Sequence, residues 1–251
     1  MNIDPRTYEA TPDLLKDRVI LVTGAGRGIG RAAALAFAAR GATVILLGRK
    51  VKPLESLYDE VVAAGHPQPA IFPMDLEKAE DKDFLAMAQG IAEQLGRLDG
   101  ILHNAVASFV PVGLEHYKLA EWMAQLRVNL AAPAAITRAC LPLLRQAPDA
   151  SVIMTSDTHA QTPGAFWSGL AISKAGVETL VRIQAEEWEA TPNLRINAVV
   201  PGPVNSPQRL RTHPGELKGS LRKPEDLLPV YLYLMGPASR GITGQVLPCQ
   251  A

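Results

Sequence analysis

An α/β fold built on a doubly wound parallel sheet is what this sequence predicts, and three observations predict it. Short, β-branched apolar runs alternate with longer helical patterns along the chain. Several of those runs are apolar almost throughout, as strands covered on both faces are. A glycine cluster lies between the first run and the first helical pattern, where a phosphate-binding turn would sit. Repeated strand–helix alternation implies right-handed βαβ units, here about seven strands with helices on both faces.

The elements follow in order. After an N-terminal extension (1–16), RVILVT (18–23) reads as the first strand and IGRAAALAFAAR as the helix after it. ATVILLG (42–48) and PLESLYDEVVAAG form the next pair, then PAIFPMD (69–75) and DFLAMAQGIAEQLG. DGILHNA (99–105) leads into one long helical pattern, LAEWMAQLRVNLAAPAAITRACLPLLRQ. SVIMTSD (151–157) precedes WSGLAISKAG, which opens another long helix. RINAVVPG (195–202) and QVLPC (245–249) complete the strands. The stretch from Pro201 to Gly219 is the least regular, and 203–220 reads as a substrate loop or lid. No repeat or linker divides the chain, so residues 1–251 are expected to form a single domain of the Rossmann, NAD(P)-binding type.

Composition narrows the function classes. The chain has 251 residues, 47% hydrophobic and 20% charged, enough for a sizeable core. Its 25 basic and 25 acidic side chains balance, which argues against nucleic acid or an anionic membrane as partner. Two cysteines, no apolar leader and no run near ~18 apolar residues point to a cytoplasmic protein. The five histidines form no ligand motif with cysteines or carboxylates, so no metal is expected. No G-x-S-x-G elbow suggests a serine hydrolase.

The glycine turn reads Thr23-Gly24-Ala25-Gly26-Arg27-Gly28-Ile29-Gly30. Glycines permit positive φ and let the backbone approach a pyrophosphate resting on the helix N-terminus. Ile29 stands where G-x-G-x-x-G would have its third glycine. At the end of the second strand stands Arg49, where an NAD-selective site usually carries an acid for the ribose 2′-hydroxyl. Arg27 and Arg49 suit a 2′-phosphate by charge and fork geometry, so NADP is expected over NAD.

These features resemble the short-chain dehydrogenase/reductase family over nearly the whole chain. Thr23 to Gly30 resembles its TGxxxGxG cofactor motif, and Asp75-Leu76 the acidic–aliphatic pair that contacts adenine. Asn104-Ala105 matches part of NNAG, Asn129 the helix asparagine that supports a proton-relay water, and Pro201-Gly202 the PG motif, with Ser206 at its usual threonine. Ser173-Lys174-Ala175 matches the latter half of YxxxK. LLKDRVILVTGA and DLLPVYLYLMG are further similar to the YciK-like branch of bacterial oxidoreductases.

The resemblance implies a tyrosine acid/base, a serine on the substrate oxygen, and a lysine that grips the nicotinamide ribose and lowers the tyrosine pKa. This sequence departs there. Leu170 stands at the tyrosine position and Asp157 at the serine position, with Ser156 one residue off and expected to face away. Val106 replaces the glycine of NNAG. Three readings follow. The first is an NADP-dependent oxidoreductase whose proton comes from His159, Asp157 or Lys174. The second is a non-catalytic NADP-binding sensor or interaction protein. In the third, Val106 and Leu170 fill the nicotinamide space. An Asp157–Lys174 ion pair is expected, because a lone buried charge is costly. His159 reads as an ordinary loop residue, His103 as a hydrogen-bonded strand end, and Trp167 and Phe166 as packing beside the pocket mouth. The family's habit of pairing the helices that carry Asn129 and Lys174 implies a homodimer or homotetramer. The substrate is not legible.

Overall fold

Apolar runs too short for helices and bounded by glycine, proline or aspartate become seven strands: Val19–Thr23 (β1), Thr43–Gly48 (β2), Ala70–Pro73 (β3), Gly100–His103 (β4), Ala150–Thr155 (β5), Leu194–Val200 (β6) and Val246–Pro248 (β7). The computed structural model describes residues 3–250 apart from Ser108. The strands join one sheet in the order β3-β2-β1-β4-β5-β6-β7, every pair parallel, as the alternation predicts. Gly28–Ala38 (α1), Val51–Ala63 (α2), Asp81–Leu95 (α3), Leu119–Leu126 (α4), Ala132–Gln146 (α5), Ser168–Glu187 (α6), Pro207–Thr212 (α7) and Leu228–Met235 (α8) are the helices.

Two apolar layers hold the helices to the sheet. On one face α3, α5 and α6 bury Met87, Ile136, Cys140 and Val181 against β4–β6. On the other, α1, α2 and α8 bury Phe37, Leu54, Leu57 and Tyr231. Each fully buried side chain of this size contributes about 1.5–3 kcal/mol, so both faces matter to stability. No amphipathic pattern announced α8, because a helix that is apolar all round carries none. The N-terminal segment belongs to this second layer: Leu15 is fully buried, and the Tyr8 ring meets Tyr233 edge-on at 5.5 Å.

Several strands stop earlier than their apolar runs. β3, β4, β5 and β6 end at Pro73, His103, Thr155 and Val200, so Asp75, Asn104, Asp157 and Pro201 lie in loops at the sheet's C-terminal edge. Proline explains two of these ends, since it has no N–H for the ladder. The long helical pattern at 119–146 is interrupted by a π-turn, Arg127–Ala131, between α4 and α5. The stretch 203–220 is more regular than an irregular loop. It contains α7, which Ser206 caps by accepting a hydrogen bond from the Arg209 amide at 3.2 Å. A two-point Arg209–Glu216 ion pair braces it further.

Strand order reverses between β1 and β4. Ligands of open α/β sheets bind beyond the strands' C-terminal ends at such a reversal. Thr23, the last residue of β1, fixes this corner: its Oγ1 accepts hydrogen bonds from the amides of Asn104 (3.0 Å) and Ala105 (3.1 Å) beyond β4. At the opposite edge, buried Asp149 is held by Arg18 and Arg195, so its charge is paired. No helix among the described residues is long and apolar enough to cross a membrane.

Candidate active site

The glycine turn shapes one wall. Gly24 and Gly28 have φ of +69° and +55°, a conformation that L side chains rarely adopt. Gly30 is tight for another reason: a Cβ there would lie 2.5 Å from the Gly24 carbonyl oxygen and 2.6 Å from Asn104 Nδ2. It lets α1 pack closely beneath the turn. Arg27 is the extended N-cap of α1 and makes no side-chain cap, which leaves the first-turn amides open to an anion.

A cavity of about 640 Å³ opens at the β1–β4 reversal. Its walls include Gly24, Arg27, Gly28, Ile29, Arg49, Asp75, Leu76 and Asn104 on one side, and Asp157, Leu170, Lys174, Pro201 and Gly202 on the other. Arg27 and Arg49 are exposed at its mouth, and neither has an ion-pair partner among the described residues. Val106 and Leu170 stand on the wall and leave the volume open. Val106 does so without left-handed backbone, since Asp17 and Phe166 are the only described non-glycine residues with positive φ.

Lys174 and Leu170 face the cavity one helical turn apart on α6, as the spacing predicts. The expected Asp157–Lys174 ion pair does not form. Lys174 Nζ donates instead to the Thr155 carbonyl at 2.6 Å. Burial pushes the lysine pKa down to about 8, against the upward pull of the Asp157 charge. Asp157 turns the other way. Its Oδ1 accepts from the His159 amide at 2.9 Å and lies 2.6 Å from His159 Nδ1. The cause is local: Asp157 caps the turn Thr158–Ala160, which brings the imidazole two residues on within its reach.

Asn129 and Gly30 lie behind the wall. Asn129 Oδ1 accepts from the Ala107 amide at 2.9 Å, and its Nδ2 donates to Ser173 Oγ at 3.0 Å. The Ser173 hydroxyl donates in turn to the Leu170 carbonyl at 2.8 Å. This chain of bonds sets the height of α6 against the loop after β4. Ser156 donates its hydroxyl to buried Glu178 at 2.7 Å and so offers none to the cavity. His103 is buried and bonded to Thr137 at 2.9 Å, and burial lowers its pKa to about 3, so the ring is neutral.

An aromatic cluster at the mouth was only partly foreseen. Trp167 lines the cavity, but Phe166 does not belong to it: it is 61% exposed at a left-handed turn. The His159 ring lies flat on Trp167, centroids 3.9 Å apart at 15°. Phe109 and His213 flank the same indole at 5.4 and 5.5 Å. Nothing in the residues around His213 signalled this, because 54 positions along the chain separate it from His159. Gln250 was missed as well. It donates to the carbonyls of Pro201 (2.7 Å) and Pro203 (2.9 Å) and so fixes the turn around Gly202, whose φ is +73°.

Other proteins share this fold and much of this sequence. The family model described as short chain dehydrogenase matches residues 18–216. An uncharacterized oxidoreductase of Escherichia coli K12, YciK, is 37% identical over 97% of this chain and 96% of its own. A structure described as a short chain dehydrogenase from Pseudomonas syringae is 43% identical and superimposes with a TM-score of 0.94, covering 97% of this chain and 98% of that one. Another, from Shigella flexneri and complexed with NADP, is 36% identical with a TM-score of 0.93, covering 96% of this chain and all of that one (100%). The glycine turn at the sheet reversal, the lysine on α6 and these matches together show that the chain belongs to the short-chain dehydrogenase family.

Proposed function

We propose that this chain is an NADP(H)-binding oxidoreductase in which the family's tyrosine–serine route between carbonyl and alcohol is weakened or absent. One observation carries the cofactor reading: a single cavity joins the glycine turn, Arg27, Arg49, Asn104 and Lys174. Its volume suits a small-molecule site, typically ~300–1,000 Å³. A Cβ added at Gly28 would meet nothing closer than 3.8 Å, so the turn presents bare backbone to the cavity. The NADP complex of the Shigella relative supports the choice of nucleotide. Arg27 and Arg49 would hold the 2′-phosphate, Asp75 and Leu76 the adenine, and Lys174 the nicotinamide ribose. When bound, NADPH supplies the two electrons and the hydrogen that reduce a substrate carbon.

Leu170 favours a second reading, a non-catalytic NADP sensor, because an aliphatic side chain holds no proton to give. Fluorescence titration with NADPH tests the binding both readings share. Turnover against ketones and quinones separates them. We further infer a homodimer or homotetramer: Leu119 and Met123 on α4 and Ile172 and Ile183 on α6 leave apolar surface exposed. Light scattering that returns a monomer mass overturns this. The two cysteines are unpaired and buried, which supports a cytoplasmic setting, checked by cell fractionation.

A further inference from the structure

The side chains that replace the family's proton donors are not idle. Asp157 has turned from Lys174 to the imidazole of His159, with Oδ1 2.6 Å from Nδ1 and 2.9 Å from the backbone amide of the same histidine. The ring is clamped on its face by Trp167, at 3.9 Å and 15°. Both members of the pair line the cavity that holds the glycine turn and Lys174. Nε2 has no hydrogen-bond partner among the described residues. A carboxylate on one imidazole nitrogen fixes the tautomer and leaves the other nitrogen to exchange a proton.

We propose that His159, oriented by Asp157, is the residue of this cavity that passes a proton to and from the substrate oxygen. The inference rests on the cofactor reading above. It also removes the difficulty of a carboxylate in the serine position. A bare Asp157 would repel a developing oxyanion, whereas a carboxylate committed to an imidazolium presents an N–H at the outer end of the pair. In reduction, the substrate carbonyl oxygen takes the proton from Nε2 while its carbon takes hydrogen and two electrons from NADPH. The products are an alcohol, NADP⁺ and a neutral imidazole, which regains its proton from water. In oxidation Nε2 accepts the hydroxyl proton. Phe109, Val106 and Leu170 on the walls suit a flat apolar body beside the reacting carbonyl, such as a diketone or quinone.

Charged and titratable groups around the imidazole come from three places: Asp157 on its own turn, Lys174 on α6, and Arg209, Arg211, His213 and Glu216 on and beside α7.

The test compares wild type with His159→Ala on the whole chain, using NADPH with 2,3-butanedione and with 9,10-phenanthrenequinone. The variant is expected to bind NADPH within about twofold of wild type and to lose roughly 10²–10⁴-fold in kcat. Added imidazole, entering the space left on Trp167, is expected to restore part of the rate. A ring that only packs would not be rescued in this way. Nitrogen NMR supplies a readout without turnover: the neutral His159 ring should carry its proton on Nδ1, beside Asp157, and Asp157→Ala should mix the tautomers. Equal kcat in the variant overturns the proposal, as does NADPH binding by the wild type without turnover of either probe. Absence of NADPH binding is a different result, because it removes the cofactor reading and this one with it.

Discussion

Lys174 Nζ is 2.6 Å from the carbonyl oxygen of Thr155, so the buried cation of this site is anchored to the end of β5 and not to Asp157. A hydrogen bond to a neutral carbonyl leaves the charge uncompensated. That is why burial brings the lysine from 10.5 to about 8.

The first prediction follows from that shift. Between about 8 and 10.5 the unfolded chain binds a proton that the folded chain does not, so stability rises with pH across this window. Below it the buried charge costs on the order of 3 kcal/mol. Lys174→Met should therefore gain about 1–3 kcal/mol at pH 7 and flatten the rise, while weakening NADP. Urea unfolding at pH 7 and pH 10 measures both; an unaltered slope would contradict the account.

His103 predicts the acid limb. Its folded pKa of about 3 lies below the ordinary 6.5, so the unfolded state takes up the proton first. Stability should fall as pH drops from about 6.5 toward 3, by up to roughly 4 kcal/mol from this ring alone. His103→Gln keeps a donor for Thr137 and should make the acid limb shallower. Thermal melts from pH 7 to pH 4 would show it.

Arg49→Asp should weaken NADP roughly ten- to hundredfold, the worth of a charge-assisted hydrogen bond, and leave NAD nearly unchanged. Paired titrations of the two nucleotides read this directly. Equal affinities in wild type, unmoved by the substitution, would remove the 2′-phosphate assignment.

Leu170→Tyr alone should raise carbonyl reduction little, because Asp157 remains where the second donor is needed. Asp157→Ser alone should lower it by freeing His159. The double variant rebuilds a phenol and a hydroxyl around one oxygen, so its gain should exceed the sum of the two free-energy effects. NADPH oxidation by all four proteins gives the coupling. Wild-type turnover well above every variant would mean that Leu170 belongs to a different working mechanism.

Much of this was legible in the sequence where chemistry repeats locally. β-branched runs gave the strands, and Gly24 and Gly28 marked a turn that needs positive φ. Leu170 and Lys174 could be placed on one face by helical spacing alone. Less legible were features made by distant segments meeting. His159 stacks on Trp167 and His213 meets the same indole at a tilt from a distant stretch of chain, and Gln250 reaches back 49 positions to Pro201. The Asp157–Lys174 pair failed for a related reason: charge logic favoured it, but a backbone turn of two residues brought a nearer partner.

The Gln250 clamp ties nucleotide occupancy to the fraying of a sheet margin. Among the described residues β7 has a neighbour on one side only, and the Cys249 amide after it bonds to Val200 at 2.9 Å. Edge segments open at lower free energy than central strands. Each such opening frees the Pro201–Pro203 carbonyls and loosens the Gly202 turn on the cavity wall. A nucleotide that needs that turn in place therefore holds the margin shut. Amide hydrogen exchange at Val246 and Leu247 should slow on NADP binding, although neither residue lines the cavity.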